Sequence, residues 1–309
     1  MGMRKLLLIA TIFFSLYSSG QSPMFKLIAK KASSYTYLLD SYPNATIAYA
    51  TVKLRSAYSG DCLRVRRSSD DAEQDIGFAG NYLDTASLKT FVSSNSGYVV
   101  KWYNQSDSAN WFAFNTTTSF QPRIVNAGVV ERQNGSPSVR FITGGGLYNG
   151  LNVTTSAISV SSHSIFSVFQ PLSYLGYERI ASFRRSGDGS DDSWYCSTLQ
   201  LGVNSFGAYM AGNVAAVSVS GTALNLYDAI HTGSEIRNAN NNGTPTTASN
   251  SLGTFNIVSY SVGQSDYSSR PTYNGNANAY ISCVVAYNAD KTSDRGGINS
   301  IINGYYAVY

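Results

Sequence analysis

Apolar and polar positions alternate along most of this chain in short runs, and turn residues separate the runs. Cys62 to Arg67 is the clearest case: Leu63 and Val65 fall on one face and Arg64 and Arg66 on the other, as in a half-buried strand. Ser68, Ser69, Asp70 and Asp71 then make a turn, and Glu73 to Phe78 returns with Ile76 and Phe78 apolar. Glu73 and Asp75 oppose the arginines in sign, so the pattern predicts an antiparallel hairpin with acid beside base. Thr46 to Leu54 is expected to form the strand before it. Leu83 to Val92 changes period: Asp84 suits an N-cap, and Leu88, Phe91 and Val92 share a helical face. Alternation resumes at Tyr98 to Tyr103, with Val100 and Trp102 on one side and Lys101 and Tyr103 on the other.

Further strands are expected over Ser138 to Ile142, Ala157 to Gln170, Arg179 to Arg184, Tyr195 to Gly202, Ala208 to Val219, Thr254 to Val262 and Ala277 to Tyr287. Asn238 to Asn250 reads as a loop. The chain closes on a second helix capped by Thr292 or Ser293, with Ile298, Ile301, Ile302 and Tyr305 on one stripe. The pattern as a whole predicts an all-β sandwich with one short internal helix and a C-terminal helix.

Composition narrows the class. Charged residues are only 13% of 309, which favours an all-β exported protein over a helical cytosolic one. The net charge is +4, of which Arg4 and Lys5 contribute two. Removing the first twenty residues leaves +2, too little for electrostatic binding of nucleic acid. Those two cations, the apolar run from Leu6 to Tyr17 and the small residues Ser18, Ser19 and Gly20 read as a signal peptide over 1–20. That run is too short to span a bilayer. A basic segment over 21–35 follows, and 36–309 is read as one domain. Secretion is the expected localisation, with a virion the alternative. Cys62, Cys196 and Cys283 are an odd number, compatible with one bridge and a free thiol or with three buried thiols.

The hairpin wording, together with LDTASLKTFV at Leu83 to Val92, WYNQS at Trp102 to Ser106 and QPRIVNAG at Gln121 to Gly128, resembles the catalytic module of fungal α-L-arabinofuranosidase B, glycoside hydrolase family 54. It is similar also to bacterial and phage laminin-G-like proteins sharing that module's fold. The resemblance implies a concanavalin A-like jelly-roll β-sandwich. It implies too a nucleophilic Glu in an Asp-Leu-Glu-Asn stretch and an acid Asp in a later Gly-Gly-Asp segment. Asp266, in VGQSDYSS, falls where the acid is expected, but Trp194 to Leu226 contains no Asp or Glu at all. A retaining glycosidase needs both carboxylates, about 5 Å apart.

Other chemistry is weakly signalled. His163 and His231 have no companion at ligand spacing, so no metal site and no cofactor are expected. The acid groups Asp70 to Asp75 and Asp188 to Asp192 offer hard oxygens that could suit calcium.

The expectation from the sequence is therefore a secreted or virion-associated, lectin-like carbohydrate-binding sandwich without hydrolase activity. Its partner would be a glycan or polysaccharide, met by Trp102, Tyr103, Asn104, Gln105, Trp194 and Tyr195 through ring stacking and amide hydrogen bonds. One alternative is an α-L-arabinofuranosidase pairing Asp266 with Glu178 or Glu235. A second is a structural or adhesive coat module.

Overall fold

The computed structural model describes residues 35–107, 111–144, 147–173, 178–186, 194–195, 198–202, 205–210, 213–218, 222–250, 253–264 and 276–309. The expected signal peptide, Cys196, Asp188 to Asp192 and Asp266 lie outside them.

The principal elements in chain order are α1 (Leu38–Ser41), β1 (Ala45–Ala50), β2 (Leu63–Arg67), β3 (Glu73–Ile76), α2 (Thr85–Val92), β4 (Gly97–Trp102), β5 (Arg123–Asn126) and β6 (Val139–Phe141). There follow β7 (Leu151–Val160), β8 (His163–Pro171), β9 (Ala181–Arg185), β10 (Thr198–Gly202), β11 (Ser205–Met210) and β12 (Asn213–Ser218). The last are β13 (Asn225–His231), β14 (Glu235–Asn240), β15 (Thr246–Ser249), β16 (Phe255–Val262), β17 (Ala279–Tyr287) and α3 (Arg295–Tyr306). The arrangement is a jelly-roll β-sandwich.

One layer runs β15-β14-β13-β8-β17, and β1 and β6 share the far edge of β17. It continues from β6 through β5 and β4 to β2 and β3. The other layer is β9-β16-β7, tied to β4 through Ala113–Phe114. β10, β11 and β12 form a separate meander.

Every residue of β1 and β13 is buried, and so is all of β17 except Tyr280. Strands so enclosed need cover on both faces. On one side the layers meet: the His163 ring lies 4.5 Å from Phe183 and its Nε2 is 3.1 Å from the Tyr260 hydroxyl. On the other, α3 lays Ile298 and Ile302 onto the sheet, and the Tyr306 hydroxyl donates to Ser282 O at 2.9 Å. The buried Asp228 of β13 fixes this helix, accepting from Arg295 Nε at 2.8 Å and Asn299 Nδ2 at 2.9 Å. Burial raises the Asp228 pKa, and Arg295 opposes the rise.

The hairpin β2–β3 forms as expected: Arg64 faces Asp75, with Nε to Oδ1 at 2.8 Å, and Arg66 faces Glu73. Asp84 caps α2, its Oδ1 accepting from Ala86 N at 3.1 Å and Ser87 N at 3.0 Å. Six expectations are corrected. Ala208 to Val219 is the two antiparallel strands β11 and β12, and Tyr195 to Gly202 is divided, Tyr195 pairing with Phe183 and Thr198–Gly202 with β11. Ala157 to Gln170 is two strands in opposite layers, because the chain crosses between them at Ser161 and Ser162. Asn238 to Asn250 is largely hairpin, and the turn's Asn241 and Asn242 both take positive φ, 49° and 56°. The strand β13 has no alternation and was not expected. Asp294 stands at the N-cap of α3, while Thr292 hydrogen-bonds Asp290.

Two stability outcomes follow. Arg295→Ala leaves Asp228 buried without its cation, and urea denaturation is expected to show a loss of about 3–5 kcal/mol. Adding Asp228→Asn should restore part of it. Burial lowers His163 from 6.5 to about 3. Between those values the unfolded chain holds a proton that the native chain lacks, so this contribution is complete above pH 6.5 and falls as the pH falls. At pH 4.5 the loss is roughly 2–3 kcal/mol. His231 shifts in the same direction and Asp228 works oppositely, so the comparison is of wild type with His163→Phe: the variant should show a flatter decline in urea midpoint from pH 7 to 4.5.

Candidate active site

At one end of the sandwich β6, β8 and β16 stop and β7, β9 and β17 start, so six strand ends bring their polar side chains together. Two glycines permit the close approach. Gly263 has φ +73°, and a Cβ there would stand 2.0 Å from the Phe141 ring; at Gly150 a Cβ would meet Gln264 Oε1 at 2.0 Å. The backbone is tied across the end by Gly263 N to Ile180 O and Ala277 N to Gly263 O, both 2.8 Å.

The buried Glu178 is the described carboxylate of this end, and its Oε1 accepts the Asn278 N–H at 3.2 Å. Asn278 is the hub of the cluster: its Nδ2 donates to Ser173 Oγ at 2.5 Å and its Oδ1 accepts from Arg140 Nη1 at 2.9 Å. Beside it Asn276 Nδ2 donates to Asn149 O at 3.2 Å, and Gln264 Nε2 donates to Asn152 Oδ1 at 2.5 Å. Ser182 Oγ donates to Gln264 O at 3.0 Å. A carboxylate oriented by a backbone N–H can act as nucleophile or base towards a polyhydroxylated ligand. Sequence reasoning had no signal for Asn276, Asn278 or Arg140, because their meeting depends on strand order.

The residues expected to touch sugar are distributed differently. Trp102 is fully buried, 6.2 Å from the Tyr49 ring, and belongs to the core. Gln105 is fully buried too: its Nε2 donates to Ala50 O and Val52 O, and its Oε1 accepts from Leu54 N at 2.8 Å. Asn104 Oδ1 accepts from Ala48 N at 2.8 Å and Ser106 N at 3.1 Å. Asn104 and Gln105 thus satisfy main-chain groups along and beyond β1, and a contact of Trp102 or Gln105 with a sugar is corrected by their complete burial. Tyr103 is half-buried and donates to Asp75 Oδ1 at 2.7 Å. Trp194 and Tyr195 pair with Arg184 and Phe183 at the edge of β9, and their side chains lie outside the described residues, as does Asp266. Glu235 is at the opposite end, beside Ser249 and bridged to Arg237.

The first acid group does not gather round a vacant centre. Asp70 is paired with Arg67, Asp71 with Arg66 and Asp75 with Arg64. Arg67 pulls Asp70 down to about 2, and Arg64 lowers Asp75. Among the described residues no three His, Cys, Asp or Glu side chains are grouped to hold a metal, and no helix is long and apolar enough to cross a membrane.

The model of the α-L-arabinofuranosidase B catalytic domain matches residues 40–245. Among solved structures the fold is shared by a glycoside hydrolase family 54 α-L-arabinofuranosidase soaked with a cyclic sulfate inhibitor, at TM-score 0.64 and 14% identity over 87% of this chain. A glutamate-to-glutamine mutant soaked with 4-nitrophenyl α-L-arabinofuranoside gives 0.65, also at 14% identity over 87% of this chain. An arabinofuranosidase complexed with arabinofuranosyl-α-1,2-xylobiose gives 0.63, at the same identity and coverage. This chain spans 64% of the length of each. No curated protein matches the sequence.

These findings overturn the expectation of a lectin-like sandwich without hydrolase activity, since both the matched model and the shared fold are those of a catalytic domain. The chain belongs to the α-L-arabinofuranosidase B catalytic-domain family.

Proposed function

We propose that this protein hydrolyses α-L-arabinofuranosyl linkages at the sandwich end where β16 stops and β17 starts. The family match over residues 40–245 carries the reading. A retaining displacement requires one carboxylate to attack the anomeric carbon and another to protonate the departing oxygen, then to activate water for the second half-reaction. Glu178 suits the first role, being oriented by the Asn278 backbone N–H at the end where these strands meet. Asp266, two residues beyond Gln264, is assigned the second. Glu235 is set aside because it stands at the other end of the strands. Export, as read from the N-terminal apolar run, accords with a substrate outside the cell.

The protein is expected to release 4-nitrophenol from 4-nitrophenyl α-L-arabinofuranoside. Glu178→Gln and Asp266→Asn should each lower kcat by roughly 10²–10⁴-fold, with melting temperature near that of the wild type. Absence of release by folded wild-type protein sinks the reading. Release that survives Glu178→Gln removes that residue from the nucleophile's role.

A further inference from the structure

Register places a row of side chains straight across the sheet, on the face turned away from the core. Arg66 pairs with Tyr98, Tyr98 with Arg123, Arg123 with Arg140, Arg140 with Tyr280, and Tyr280 with Gln170. Directly opposed residues of antiparallel strands share a face. Contacts agree: the Arg66 guanidinium lies 5.0 Å from the centre of the Tyr98 ring and that of Arg140 5.3 Å from Tyr280. At about 4.8 Å per strand, the four steps from Arg66 to Tyr280 cover about 19 Å, room for several consecutive sugar units.

Over the first part of the row lies a cleft of about 420 Å³, walled by Thr118, Gln121 and Asn149 and floored by Arg66, Tyr98 and Arg123. Along the row the ion pairs do not match one for one. Arg66 pairs with Asp71 and Arg123 with Glu131, but Arg140 has no carboxylate within 4 Å among the described residues. The Tyr280 hydroxyl already donates to the second Glu131 oxygen at 3.1 Å. Glu73, beyond Arg66, leans towards Arg64 at 4.0 Å. Burial, and with it the neighbouring Arg123, lowers the Arg140 pKa, while Tyr280 and the Glu131 carboxylate beyond ion-pair distance oppose them. The row runs into the candidate active site, since Arg140 holds Asn278, the residue that donates to Glu178.

We infer that this row is the binding groove for the main chain of a polysaccharide bearing uronic-acid carboxylates, laid across the strands so that its arabinofuranosyl branches reach the Glu178 end. The ring face that each tyrosine does not give to its arginine stacks on a sugar ring, and Arg140, with no carboxylate within 4 Å among the described residues, takes one through directed N–H donors. The identity of the branch rests on the arabinofuranosidase reading; the carboxylate preference does not.

Affinity electrophoresis of the Asp266→Asn protein in gels containing glucuronoarabinoxylan tests it without needing turnover. Expected are retardation by the native polymer, about tenfold weaker retardation once its carboxyl groups are reduced to alcohols, and weakening with added salt. Arg140→Gln should weaken retardation by a similar factor, and Lys89→Gln, on exposed α2 away from the row, should not. Equal retardation by native and carboxyl-reduced polymer, or by neither, overturns the inference. Equal loss in Lys89→Gln and Arg140→Gln does so too.

Discussion

One strand, β17, dictates much of this structure because it has almost no side chain in water. It pairs with β8 along one edge and with β1 and β6 along the other, so its polar backbone is satisfied within the layer. Its side chains then need an apolar partner above and below. The second layer supplies one and α3 the other. The polar anchor of that helix is also internal: Asp228 is shielded from water and receives donors from Arg295 and Asn299. Such a pair contributes less to net stability than to fixing where the helix docks, since both charges are desolvated to form it.

The same strand positions the chemistry. Its buried course sets the height at which Asn276 and Asn278 leave the sheet, and from one short stretch their side chains meet Asn149, Ser173 and Arg140 while the Asn278 main-chain N–H meets Glu178. A site assembled on strand ends inherits the rigidity of the sheet, while loops beyond it are free to vary. Gly150 and Gly263 belong to this argument, because without their bare backbones Phe141 and Gln264 could not close the end.

Features decided within a few residues were legible from sequence. The β2–β3 hairpin combined alternation with opposed charges, and Asp84 announced α2. Features decided by distant partners were not. In β13 the run NLYDAIH has no period because both faces are covered, and Asp228 finds its cation 67 residues later. Trp102 shows a subtler limit. The register shift between Arg64 and Val65 opposite β4 lets Val99 and Trp102, three apart, both face the core. Strict alternation breaks at such a bulge, and Tyr98 is thereby left on the outer face beside Arg66.

The missing acid in Trp194 to Leu226 misled for a related reason. Displacement at an anomeric carbon constrains the separation of two carboxylates in space and says nothing of which strand carries each. On a sandwich whose six strand ends converge, an acid such as Glu178 can stand at the same end as one supplied from elsewhere in the chain. At 14% identity to solved enzymes the scaffold persists while local wording does not. The absence of a motif from one stretch is then weak evidence about catalysis in either direction, and the decisive quantity becomes which carboxylates the strand order brings to one end.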